Sequence, residues 1–108
     1  MLKLKLDHYQ FGQYDYGKTT SITITDEFNA VFNATGYTGV IRFLDKNKVQ
    51  IVDDLPVTFT SISTGKGTFV FTATQSITIH GIAFVICEIT KSGEQTSTYP
   101  VMVQIVQL

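Results

Sequence analysis

Apolar and polar residues alternate with a period of two over most of this chain, and this alternation limits the fold to one built from β-strands. The segment TSITIT, Thr20–Thr25, shows the pattern: Ile22 and Ile24 fall on one face and hydroxyl residues on the other. Threonine fits such a face because a β-branched side chain is favoured on a pleated surface. No confident helical period competes with the strands, so the sequence predicts an all-β protein.

The spacing of the turn signals predicts an antiparallel β-sandwich of about seven or eight strands with an immunoglobulin-like path. A small barrel is the alternative. The 108 residues are the length of one domain, so we expect a single sandwich over residues 1–108, which could be the N-terminal part of a longer chain. The predicted strands are Leu2–Leu6, Thr20–Thr25, Val40–Leu44, Val49–Val52, Val57–Ile62, Thr68–Ala73, Ile82–Ile89 and Thr98–Val106, with Ser76–His80 as a short strand or an extended crossing.

Three further local predictions concern the turns, one long loop and a strand buried on both faces. Asp45–Lys48 and Gly65–Gly67 have the composition of hairpin turns. Asp26–Thr38 is predicted as a long loop, with one helical turn as the alternative, because its asparagines and glycines interrupt the spacing of its aromatic residues. Ile82–Ile89 is apolar on both faces as far as Glu88, which predicts a strand in the middle of a sheet with cover on both sides.

Charge and cysteine content exclude several classes of function. The formal net charge of −1 gives no electrostatic reason to expect a nucleic acid or an anionic membrane as a partner. Cys87 is the single cysteine, so no disulfide can form within the domain, and synthesis in a cytoplasm is expected. The first residues lack the apolar run of a signal peptide, and no segment reaches the length of a membrane span.

No set of residues with the spacing of a catalytic or metal site is found. His8 and His80 are far apart in sequence and lie in no ligand spacing, and Cys87 lies in the most apolar strand, where an inert thiol is expected. The pair Asp53-Asp54 lacks the alternate oxygen ligands and closing glutamate of a calcium loop. We therefore predict a protein that is not an enzyme and that needs no metal or cofactor.

Two groups of residues are candidates for a contact surface. Tyr9, Phe11, Tyr14 and Tyr16 alternate with polar residues in one segment, and such a mixture can bind a protein or a sugar. Met102 and Val106 lie on the opposite face of their strand from its core residues. These two residues predict an exposed apolar strip that contributes to a subunit interface, unless a second sheet covers that face.

The hairpins of the chain resemble those of a known family. The strand and turn IRFLDKNK follows a threonine-glycine pair, the strand GTFVFTA begins at a glycine, and a long strand ends in a K-x-G turn and a serine-threonine step. This arrangement, from about Ile22 to Val106, resembles the N-terminal immunoglobulin-like domain of baseplate upper proteins of phages and prophages of Gram-positive bacteria. The insert Asp26–Gly36 departs from the short connection usual in that family.

The resemblance implies a structural protein of a phage baseplate or tail. Such a domain would help to anchor receptor-binding proteins through protein–protein contacts, with other baseplate or tail proteins as partners. It would be made in the bacterial cytoplasm, found in the virion, and be homo-oligomeric in the assembled particle. The alternative function is a carbohydrate-binding or adhesin-type sandwich, which the tyrosine-rich segment would support.

Overall fold

The computed structural model describes all 108 residues, which form ten β-strands and one short 3-10 turn. No helix in it has the length and apolar character needed to cross a membrane. The strands are β1 Lys3–Leu6, β2 Gln10–Gly12, β3 Thr19–Thr25, β4 Thr38–Leu44, β5 Leu55–Pro56, β6 Thr58–Ser61, β7 Lys66–Val70, β8 Gly81–Lys91, β9 Glu94–Ser97 and β10 Val101–Val106.

The strands form two sheets. Sheet I has the order β1-β3-β7-β6, and sheet II has the order β2-β10-β8-β4-β5, with β9 also paired to β8. All named strand pairs are antiparallel except β2 with β10. These orders correspond to the ABED and GFC sheets of the immunoglobulin fold, with β5 in the place of strand C′. The predicted fold class, an all-β immunoglobulin-like sandwich, is therefore confirmed.

The core lies between the sheets and is built from the inward residue of each alternating pair. Ile22 and Ile24 of β3 and Phe43 of β4 are almost completely buried, as the period-two pattern predicts. Four phenylalanines from both sheets and from β2 pack together, with ring centroids 5.2 to 6.4 Å apart. They are Phe11, Phe43, Phe69 and Phe71.

Two predicted segments differ from the structure. Val49–Val52 is not a strand: Gln50 makes an isolated bridge to Leu44, and the chain then turns away. The turn before β7 is formed by the 3-10 turn Ile62–Thr64 and by Gly65, whose φ of +68° favours glycine, while Lys66 and Gly67 already belong to β7. Asp26–Thr38 contains no helix, so the loop prediction is confirmed as far as β4.

A one-residue bulge separates β9 from β10. Ser97 pairs with Glu88 and Val101 pairs with Val85, so four steps along one strand oppose three steps along β8. At the bulge the backbone N–H of Cys87 donates to the Thr98 hydroxyl at 3.0 Å. The extra residue reverses the alternation of the strand, and every position after it therefore changes face.

β8 lies in the middle of sheet II, between β4 and β10, as predicted. The prediction that both of its faces are covered is wrong for this chain. Ala83, Val85 and Cys87 face the core, but Ile82 is 51% exposed and Phe84 is only partly buried. No layer of this chain packs on the outer face of sheet II, because the second sheet covers the inner face alone.

Candidate protein-contact face

The outer face of sheet II carries a group of apolar side chains, which we call the apolar strip: Leu44, Ile82, Phe84, Met102 and Val106. The exposed Gln104 lies between Met102 and Val106 on β10. Phe84 pairs directly with Leu44 on one side and with Met102 on the other, so these three form a row across β4, β8 and β10. Met102 is 62% exposed and Val106 is 44% exposed. Side chains directly opposite each other on one face touch, so the row presents one apolar surface rather than scattered residues.

A hollow of about 440 Å³ lies beside this row on the outer face of sheet II. Leu44, Phe84, Ile86 and Pro100 contribute to its walls, and the exposed Lys46 and Lys48 stand at its rim. The hollow is an indentation of the strip rather than an enclosed site, and its apolar floor is bordered by Asp45, Lys46 and Lys48.

The turn that carries the two lysines has a defined geometry. The Asp45 carboxylate accepts backbone N–H bonds from Asn47 at 2.8 Å and from Val49 at 2.9 Å. Lys48 has a φ of +66°, and its N–H donates to the carbonyl of Asp45 at 3.0 Å. An aspartate that caps its own turn fixes the backbone, so the lysines project from a fixed position beside the strip.

A polar cluster centred on Arg42 lies on the other side of the row. The Arg42 guanidinium donates to both oxygens of Asp54, at 3.0 and 3.2 Å, and to Glu88 at 2.7 Å. Gln50 also donates to Asp54 at 2.6 Å, and Gln95 donates to Glu88. One arginine faces two carboxylates, so the cluster keeps a net negative charge.

The hydrogen bonds within this cluster change the acidity of its members. The bonds from Arg42, and then that from Gln50, hold the pKa of Asp54 below its ordinary value. Bonding to Asp54 raises the pKa of Arg42 further above neutrality. Both groups are therefore charged at neutral pH, and the strip has a positive rim at one end and a negative cluster at the other.

The predicted tyrosine-rich contact surface does not form one platform. Phe11 is only 6% exposed and packs in the core, so its assignment to a contact surface is wrong; as the inward residue of the short strand β2, it points between the sheets. Tyr9, Tyr14 and Tyr16 are exposed, but Tyr9 borders a groove on sheet I and Tyr16 borders a different one beside β2. Their role in contact stays a prediction.

The titratable residues considered as catalytic candidates lie apart. His8 Nδ1 is 2.7 Å from Asp7 Oδ1 at the surface, and its ring packs 4.7 Å from that of Phe11. Burial, with a smaller contribution from the charge of Glu88, raises the pKa of the Cys87 thiol to about 12. His80 is exposed, and no three His, Cys, Asp or Glu side chains cluster as metal ligands.

Leu44, Ile82 and Phe84 were missed as surface residues from the sequence. The large outward residues Ile82, Phe84 and Ile86 were the available signal, but an apolar outward side has the same pattern as a second core face. Arg42 could be placed on the outer face from its position between Ile41 and Phe43. Its two acidic partners could not, since they come from a loop and from another strand.

Comparison with known proteins adds a distant likeness in fold. No family model and no curated protein matches the chain. The crystal structure of the Lin-41 filamin domain is similar, with a TM-score of 0.46 and 11% sequence identity over 95% of this chain and 91% of that one. This degree of likeness carries no inference about function.

Proposed function

We propose that this chain is a structural protein of a phage baseplate or tail that works through protein–protein contacts and catalyses no reaction. The observation that carries the proposal is the apolar strip on the outer face of sheet II. A sheet face exposed to water is ordinarily polar, whereas this one presents a row of large apolar side chains across three strands. The phage assignment rests on the resemblance of the hairpins.

The chemistry of the strip fits the proposal better than it fits a small-molecule site. Its floor is open and shallow, and its charged groups are either engaged in the Arg42 cluster or placed at the rim. An apolar centre with a charged border is the usual composition of a protein interface. A multi-subunit particle would cover such a face.

The test is the presence of the chain in particles. Mass spectrometry of purified phage particles, induced from a strain that encodes the chain, should detect it in a fixed ratio to a known tail protein. The variant Met102→Lys should be made normally but be depleted from the particles, since a charge would replace an apolar contact. Val70→Lys is the matched control, because Val70 is an exposed apolar residue on the outer face of sheet I. Absence of the wild-type chain from the particles would refute the proposal.

The carbohydrate-binding alternative would use a different part of the surface, the groove beside β2. The groove beside β2 is bordered by Tyr16, Asp15, Lys18 and His8, a mixture of aromatic and polar groups that can bind a sugar. A glycan array in which wild type binds and Tyr16→Ala does not would favour it over the structural role.

A further inference from the structure

We propose that the partner on the apolar strip is a second copy of this chain, bound face to face about a two-fold axis that runs along the row Leu44–Phe84–Met102. The inference rests on the proposed function of this face as a protein contact and goes beyond it by naming the partner and the arrangement. It depends on how charge is distributed on the two sides of the row.

The row divides the outer face of sheet II into two ends. β4 leads from the row into the turn that carries Lys46 and Lys48 at one end. In the other direction, two residues along β4, Arg42 pairs with Ile86 and binds Asp54 and Glu88. The positive rim and the negative cluster therefore lie on opposite sides of the row.

A two-fold axis along the row exchanges these ends. Each copy then places Lys46 and Lys48 against the Asp54 side of the other, and the contact forms twice because the interface is isologous. The row itself packs against its own symmetry mate, so Phe84 and Met102 are covered by apolar groups. The single face is thus complementary to itself in both charge and apolar surface, which is the property that a symmetric dimer requires.

The small size of the face indicates a weak contact. Three strands over six residues measure about 20 Å by 14 Å, a projected area of roughly 300 Å². Stable interfaces bury about 800 Å² on each partner, so this contact belongs with the small, reversible ones. We expect a weak, reversible dimer that is populated only at high local concentration.

Analytical ultracentrifugation from about 5 μM to 1 mM tests the dimer itself. Wild type should shift from monomer to dimer over this range, and raising the salt from about 50 mM to 500 mM should weaken the association severalfold, because the charge pairs at the rim are screened. Met102→Lys should weaken association at least tenfold, whereas Val70→Lys should not. A monomer at every concentration, or equal effects of the two variants, would overturn the proposal.

A charge-reversal pair tests the two-fold arrangement. Asp53 is exposed beside Asp54 and makes no bond to Arg42, so it can be reversed without breaking the cluster. Lys46→Glu alone should weaken the dimer severalfold, and Lys46→Glu combined with Asp53→Lys should restore it. A double variant no tighter than Lys46→Glu would overturn the arrangement.

These results separate the two proposals from each other. A chain found in phage particles but monomeric in solution keeps the structural function and removes the dimer. A chain that dimerises as described but is missing from particles keeps the dimer and removes the phage structural function.

Discussion

Replacing Thr98 with valine should destabilise the protein by about 2 kcal/mol, although valine has nearly the same shape as threonine. Thr98 is 1% exposed, and its hydroxyl accepts the backbone N–H of Cys87 at 3.0 Å at the bulge between β9 and β10. Strand β4, where Ile41 pairs with Cys87, offers no alternative acceptor for this N–H. Both backbone groups of one residue in an antiparallel strand point to the same neighbouring strand, and those of Cys87 point away from β4. Thr98→Val therefore leaves a buried donor unpaired, which costs about 1–3 kcal/mol.

Urea unfolding measures this loss directly. With a slope of about 2 kcal/mol per molar, the midpoint of Thr98→Val should fall by roughly 1 M with the slope unchanged. Thr98→Ser keeps the acceptor and loses one methyl group, so it should cost only about 1 kcal/mol. Amide hydrogen exchange at Cys87 should accelerate in the valine variant and not in the serine variant. A valine variant as stable as wild type, with Cys87 still protected, would show that the hydroxyl does not hold the bulge.

Two further predictions concern the titratable groups. Because bonds from Arg42 lower the pKa of Asp54, its stabilisation is present above the ordinary value of about 4 and is lost as the pH falls through the lowered folded value. Asp54→Asn should thus cost about 0.5–1 kcal/mol at pH 7 for this partly exposed pair, and much less in urea unfolding near pH 2; an equal cost at both would contradict the ion pair. Because burial raises the pKa of Cys87 to about 12, the folded state keeps its proton where the unfolded thiol loses it, so stability falls as the pH rises from about 9 towards 12. Cys87→Ala should remove this part of the alkaline loss, and a thiol reagent should label wild type only after unfolding; rapid labelling of the folded protein would show that the thiol is accessible.

Alternation predicted the strands whose inner and outer faces differ clearly. Ile22 and Ile24 lie inward and the hydroxyl residues between them lie outward, so hydrophobicity alone assigns each face of β3. The same rule failed at Val49–Val52, an apolar alternating segment that is not a strand. Its Gln50 forms one bridge to Leu44 of β4, and the chain then continues as a loop instead of pairing further along β4. Local pattern does not report whether a neighbouring strand is available for pairing.

Phe11 shows the limit for short elements. Strand β2 has three residues, too few for alternation to be distinguished from an aromatic loop, and its pairing is with β10 at the far end of the sequence. The burial of Phe11 follows from this parallel pairing with a distant strand, which the local sequence does not predict. The Arg42 cluster could not be predicted from the sequence for a similar reason, since the carboxylates that Arg42 binds are 12 and 46 residues away along the chain.

The candidate face was half predictable. Met102 and Val106 were assigned outward from their own strand, and the structure bears this out. Their orientation depends on the bulge at Thr98: without the extra residue, Met102 would face the core and Val103 would face outward. The tyrosine-proline step Tyr99-Pro100 is the sequence signal for this interruption, because proline has no N–H to continue the ladder.

The two outer faces of the same sandwich give the strongest reason to regard the strip as a contact. On sheet I the outward positions form the polar row Lys5, Thr23 and Lys66, and Val70 is a single exposed apolar residue on that face. On sheet II the equivalent outward row is Leu44, Phe84 and Met102. Hydroxyl and lysine side chains satisfy a pleated outer face in this very protein, so folding alone does not require large apolar groups there. Their row across three strands therefore supports the proposal that a partner covers this face.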